Sequence, residues 1–168
     1  MFKKLFVAVL VAIVSMTAYA QTIKIGHVNL DDVMQSMPET SVLEKELASK
    51  STSFQTEAQK MDTELQSKYQ AYIEQRDSLD DVTRQMREDE ITSLQQRAQQ
   101  YIQASSQQLS QYREQQLAMI QEKIFKAIKT VGDRDNFVAI FPSNEATFFS
   151  ASQTTDATPL VKAELGIK

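Results

Sequence analysis

The sequence predicts an α+β protein that is mostly α. A small β body, built by oligomerisation, carries a long antiparallel helical-hairpin arm of the coiled-coil kind. Three observations lead there. Only three glycines and three prolines occur in 168 residues, where average usage would give roughly 20. From Glu39 to Val131 there are 93 residues with neither, so no strong breaker interrupts helix. Short β-branched and aromatic runs flank that stretch on both sides.

Residues 1–20 read as an address rather than as fold. Lys3 and Lys4 precede an unbroken apolar run from Leu5 to Val14, and Ala18-Tyr19-Ala20 is a small-x-small cleavage site. This is the layout of a secretory signal peptide cut after Ala20. The apolar core of about ten residues is half what a membrane-spanning helix needs. Export of this kind places the protein in the periplasm or outside the cell. Loss of Lys3 and Lys4 leaves 16 basic against 22 acidic residues, a net charge of -6.

The body is expected in two pieces, 21–38 and 132–168. Ile23 to Val28 is a strand. Asn29 to Met37 is a short helix started by Asn29 or Asp31. Ser36-Met37-Pro38-Glu39 has the form of a capping box, with Ser36 as N-cap of the long helical region. Gly132 is expected to end that region as its C′ residue. Phe137–Phe141 and Thr147–Ala151, joined by Pro142–Ala146, are expected to form a β-hairpin. Thr158-Pro159 opens a final helix, stopped by Gly166.

Within 39–131, Phe54, Ala58, Met61, Leu65, Tyr69 and Tyr72 step by fours and threes, as do Leu94, Ala98, Tyr101, Ser105, Leu109 and Tyr112. These are coiled-coil seams. The seam fades in the charge-rich stretch 76–90, which is the expected tip. Folding back near residue 83 pairs positions whose numbers sum to about 166, so that Phe54 meets Tyr112, Leu65 meets Tyr101 and Tyr72 meets Leu94. An unbroken rod would instead reach roughly 140 Å. The body pieces hold 18 and 37 residues, 55 in all, with no cysteine to staple them. So small a core calls for partner subunits, and the residues placed in the oligomer body are Ile23, Ile25, Val28, Phe137, Val138, Ile140 and Phe148.

The chemistry is mainly one of exclusions. Without cysteine there is no disulfide, thiolate nucleophile or thiolate metal site. The single histidine, His27, lies in a strand beside no identifiable acid or nucleophile, which fits a packed or interface residue better than a catalytic one. Asp31-Asp32 and Asp80-Asp81 point about 100° apart on a helix and read as caps and solvated charges rather than metal ligands. There is no P-loop and no dinucleotide fingerprint. No catalytic, cofactor or metal residue is assigned, and the acidic balance disfavours nucleic acid. What remains is a non-enzymatic role, that of a binding protein or of a structural coiled-coil spacer or adaptor of the cell envelope.

The order of signal peptide, strand, long helical region, β-rich segment and final helix resembles the Skp/OmpH family of periplasmic chaperones. The carrying residues are Ile23-Lys24-Ile25-Gly26-His27-Val28-Asn29, Phe137-Val138-Ala139-Ile140-Phe141 and Asp156-Ala157-Thr158. The resemblance implies a homotrimer whose three arms surround a cavity for unfolded outer-membrane proteins, held without ATP. Known members are strongly basic, whereas the stretch 39–131 here has 12 basic and 15 acidic residues. Contact with lipid is therefore left open. At the tip, Tyr72, Leu79, Val82 and Met86 are candidates for client contact. For Leu79, Val82 and Met86, local packing of the turn competes evenly with that role.

Overall fold

The structure is a computed structural model that describes residues 23–144 and 147–167; the expected signal peptide lies outside them. Its elements are β1 (Ile25–Asn29), α1 (Leu30–Ser36), α2 (Pro38–Gln75), a 3-10 turn (Arg76–Ser78), α3 (Asp81–Arg134), β2 (Ala139–Ser143), β3 (Thr154–Asp156) and α4 (Thr158–Glu164). The helices α2 and α3 form an antiparallel hairpin, and the three strands form one sheet in the order β2-β1-β3.

Local chemistry explains most boundaries. Asn29 caps α1 by accepting the Asp32 N–H at 3.0 Å. The expected capping box does not form. Ser36 is the last residue of α1, and its hydroxyl donates to the Asp32 carbonyl. The N-cap of α2 is Met37, held extended at ψ 130° because Pro38 excludes the helical conformation from the residue before it. At the other end, Gly132 does not stop α3. The helix runs on to Arg134, and Asn136 makes the left-handed turn at φ 56°.

α3 is 54 residues long and α2 is 38. Lys123 pairs with Glu39 in the first turn of α2, so the eleven residues of α3 from Ile124 to Arg134, roughly 16 Å of helix, run past α2 into the body. Ile120, Ile124, Ala127 and Val131 carry the arm's seam into the body, where they pack with Val28, Val33, Met37, Leu43 and Val161 as the main core. This overrun returns the chain to the beginning of β1, where the Lys24 ammonium donates to the Asp135 carbonyl at 3.0 Å. β2 must therefore run parallel to β1, with Ile25 beside Ala139 and His27 beside Phe141. β3 is also parallel to β1, on its other edge. The expected β-hairpin is thus replaced by a crossover. Thr147–Ala151 is not a strand, and residues 145–146 of the expected turn lie outside the described residues.

Residues of the first and last of the three family-like motifs meet in this body. The Asn29 N–H donates to the Thr158 hydroxyl at 3.0 Å, and the Thr158 N–H donates to the Asp156 carboxylate. The Ala157 N–H donates to the His27 carbonyl at 2.7 Å. One short network therefore starts α4 and fixes it to β1. Gly26 is required for a different reason: a Cβ there would lie 2.8 Å from the Phe137 ring.

The arm folds back earlier than expected. α2 ends at Gln75, and Asp80 caps α3 by accepting the Thr83 N–H at 2.9 Å. The charge-rich stretch after Asp80 is the first turns of α3, where Asp81–Arg84 and Arg87–Glu90 pair at helical spacing. The register moves with the turn. Tyr101 meets Phe54 edge to face, with ring centroids 6.4 Å apart, rather than Leu65. Tyr112 donates to Glu46 and Tyr72 donates to Glu88. Compared with the expected pairing, the helices are shifted by about a heptad, the one error that heptad patterns do not penalise. Cysteines at 54 and 101 should therefore crosslink within one chain under mild oxidation, and cysteines at 65 and 101 should not. The reverse result would restore the turn near residue 83.

Polar ties join the helices where apolar burial is thin. Lys68 pairs with Glu90, and Lys123 with Glu39. The Lys123 hydrogen bond holds the Glu39 carboxyl below its ordinary value, and the Lys68 hydrogen bond does the same for Glu90. A depressed carboxyl stabilises the fold above its unfolded pKa and loses that contribution as pH falls through the folded value. The melting temperature should thus be level above the ordinary Glu value of 4.5, and fall as pH drops below it. Glu39→Gln combined with Glu90→Gln should flatten that acid limb in a calorimetric pH series. An unchanged limb would mean that other carboxylates set it.

Candidate functional site: arm tip and open sheet face

Two surfaces carry exposed apolar side chains. The first is the tip. Its turn is held by Asp80, whose carboxylate accepts from both the backbone and the hydroxyl of Thr83. Those bonds, the backbone one first, hold the Asp80 carboxyl below its usual range. Of the four residues expected to touch client, Tyr72 does not reach the surface. It is buried between the helices, and its hydrogen bond to Glu88 raises the phenol above its ordinary pKa. Packing between helices uses that side chain up. Leu79 is half-buried and lines a cleft of about 210 Å³ with Tyr72, Ala71 and Ile91. Val82 and Met86 are exposed by 70% and 66%. They lie one helical turn apart on the outer side of α3, so they present one apolar strip.

Sequence reasoning missed other exposed apolar residues along the arm: Val42, Ile73, Ile102, Met119 and Phe125. Their signal was available as apolar residues one step off the seam, which a coiled coil does not need. Val42 and Met119 flank a groove of about 390 Å³ at the arm's base, floored by Leu43, Tyr112 and Ile120.

The second surface is the open face of the sheet. Along β1, Gly26 and Val28 are buried toward the helices, so Ile25 and His27 face the other way. Parallel register places Ala139 and Thr154 beside Ile25, and Phe141 and Asp156 beside His27. The crossover lays Phe149 flat on His27, with ring centroids 4.6 Å apart and 8° between planes. The His27 Nδ1 atom is buried without a hydrogen-bond partner. Next to Phe149, Phe148 is 89% exposed.

The residues expected in the oligomer body divide into two groups. Val28 is buried in the core of its own subunit, and Phe137 and Ile140 pack against that core. Ile23, Val138 and Phe148 are exposed, and Ile25 is half-buried on the open face. Phe141 and Phe149 were missed. Both stand in aromatic runs: Phe141 reaches the open face through its register with His27, and Phe149 through the crossover that replaces the expected hairpin. Among the described residues, no three His, Asp or Glu side chains gather where they could hold a metal ion. No described helix is long and apolar enough to cross a membrane.

A family model described as "Outer membrane protein (OmpH-like)" matches residues 24–165. Comparison with curated proteins gives no match. The matched span contains every strand and helix of the structure, from β1 through α4. A helical hairpin rooted in a small three-stranded sheet, matched over its whole length, makes this chain a member of the OmpH-like outer membrane protein family.

Proposed function

We propose that the protein is an ATP-independent holdase of the periplasm that binds unfolded outer-membrane proteins and keeps them from aggregating. The observation that carries this reading is the distribution of apolar surface on the arm. Val42, Tyr69, Ile73, Val82, Met86, Ile102, Met119 and Phe125 are all exposed, yet they are scattered along two helices. Full burial of such a side chain is worth about 1.5–3 kcal/mol, and a half-exposed one offers part of that. A chain held by many such contacts is shielded from aggregation, while each contact opens readily. Release then needs only the competing free energy of client folding, with no nucleotide. Membership of the OmpH-like family supports the same reading. The fold-back of the arm disfavours the envelope spacer, because α3 reaches only about 80 Å against the roughly 140 Å of an unfolded rod.

The holding unit is a homotrimer in this proposal, assembled through the open sheet face. The copy number comes from the family resemblance, and the surface comes from the exposed aromatics beside His27. Phe141→Ser combined with Phe148→Ser touches neither the core nor the arm. The variant should sediment as a single chain while its helical circular dichroism signal is kept. A variant that remains fully assembled would place the interface elsewhere.

Light scattering of a denatured outer-membrane β-barrel, diluted into buffer without nucleotide, tests the activity. The full-length mature chain should suppress scattering to an extent that rises with its molar ratio to client. Absence of suppression at every molar ratio would turn the reading to the spacer.

A further inference from the structure

The arm's charge is concentrated at its far end. Residues 68–90, bounded by the Lys68–Glu90 pair, hold seven acidic and four basic side chains, whereas the rest of 39–131 holds eight of each. The tip is therefore net -3, and the remainder of the arm is neutral. Two of the three tip arginines are already engaged by acids of their own helix, Arg84 by Asp81 and Arg87 by Glu90. Glu88 and Asp89 accept only from neutral donors, the Tyr72 hydroxyl and the Gln85 amide. The exposed strip of Val82 and Met86 continues on the same helix face to Asp89, seven residues after Val82. The least covered aliphatic pair on the arm thus sits in its most negative field.

We infer that the tip is a docking surface for cationic amphipathic segments of polypeptide, in which Lys or Arg alternates with bulky aliphatic side chains at helical or strand spacing. Charge complementarity selects this occupant. The aliphatic side chains cover Val82 and Met86, and the cations face Glu74, Asp77 and Asp89. The same field repels an anionic lipid surface. Assembly of three arms multiplies the effect, because three tips of one sign can engage one extended chain at separate points. This inference rests on the holdase reading for the identity of the bound chain as a client, and it adds which segments of that client the tip selects.

The test uses the full mature chain and two labelled 14-residue peptides of leucine and lysine or leucine and glutamate in identical patterns. Fluorescence anisotropy at low and high salt should show binding of the lysine peptide alone, weakened as salt shortens the screening length from about 10 Å at 0.1 M. Glu74→Gln, Asp77→Asn and Asp89→Asn together remove three of the seven acids without touching the Asp80 cap. They should weaken binding about tenfold at low salt. Val82→Ser with Met86→Ser should weaken it about fivefold at both salt concentrations. Equal binding of the two peptides, or an unchanged affinity in the triple variant, overturns the inference. So does binding to phosphatidylglycerol vesicles in preference to the lysine peptide. The β-barrel scattering assay separates the two levels. Suppression that persists without any peptide preference sinks the tip assignment alone, whereas loss of suppression in the unmodified chain sinks the holdase itself.

Discussion

One stripe of side chains holds the molecule together. Ile120, Ile124, Ala127 and Val131 follow each other at four-three-four spacing on α3. The row packs in one buried cluster with Leu43 of α2, Val28 of the sheet and Val161 of α4. The seam of the hairpin and the core of the body are thus the same row of atoms. A helix that served only the arm would meet the sheet through a linker and swing. Here the arm's direction is set by the register of a buried row, and any void in that row would loosen both parts together. Leucine-to-alanine changes in cores of this kind cost about 2–5 kcal/mol, a large share of the stability of a chain this size.

Beyond Leu43, the α2–α3 seam changes character. Buried apolar residues become sparse, and Ser105 is buried where a coiled coil would place an aliphatic side chain. Polar ties take over: Tyr112 with Glu46, Lys68 with Glu90, Tyr72 with Glu88. Isolated, partly exposed ties of this kind contribute little each. The arm is therefore firm at its root and soft along its length. Local opening should begin in the middle and at the tip, while the body keeps its contacts. The sheet, packed on the buried row of α3, is spared that gradient.

Much of this was legible in the sequence. The absence of glycine and proline from 39–131 gave the helices, and Asn29, Pro159 and Gly166 marked real boundaries. The exposed Val82 and Met86 could be placed at the tip from the charges around them. Three features were not legible, each for a physical reason. Heptad spacing repeats every seven residues, so it fixes a face without fixing the register. Tyr101 was accordingly assigned to Leu65 instead of Phe54. Strand direction depends on where α3 delivers the chain, which follows from the helix overrunning its partner and not from any residue near β2. Gly132 looked like a helix stop, but nothing in its surroundings requires a glycine to turn. The nearest side-chain atom to a Cβ there would be Ile140 Cδ1 at 3.8 Å, and Asn136 makes the turn instead.

The parallel pairing of β1 with β2 has a kinetic consequence. Ile25 finds Ala139 only after the whole arm has been synthesised, because 113 residues separate them. In a random chain such a closure is slow, since a large loop must be searched before any contact rewards it. The arm removes most of that search. Helix growth and the meeting of α2 with α3 are local events, and each step toward the root shortens the remaining gap, as a zipper does. When Leu43 reaches Ile120, the ends of the sheet are already neighbours. The arm is then its own folding template, and the β1 strand, first to emerge of the folded elements, waits with its edges unpaired until the last fifth of the chain arrives.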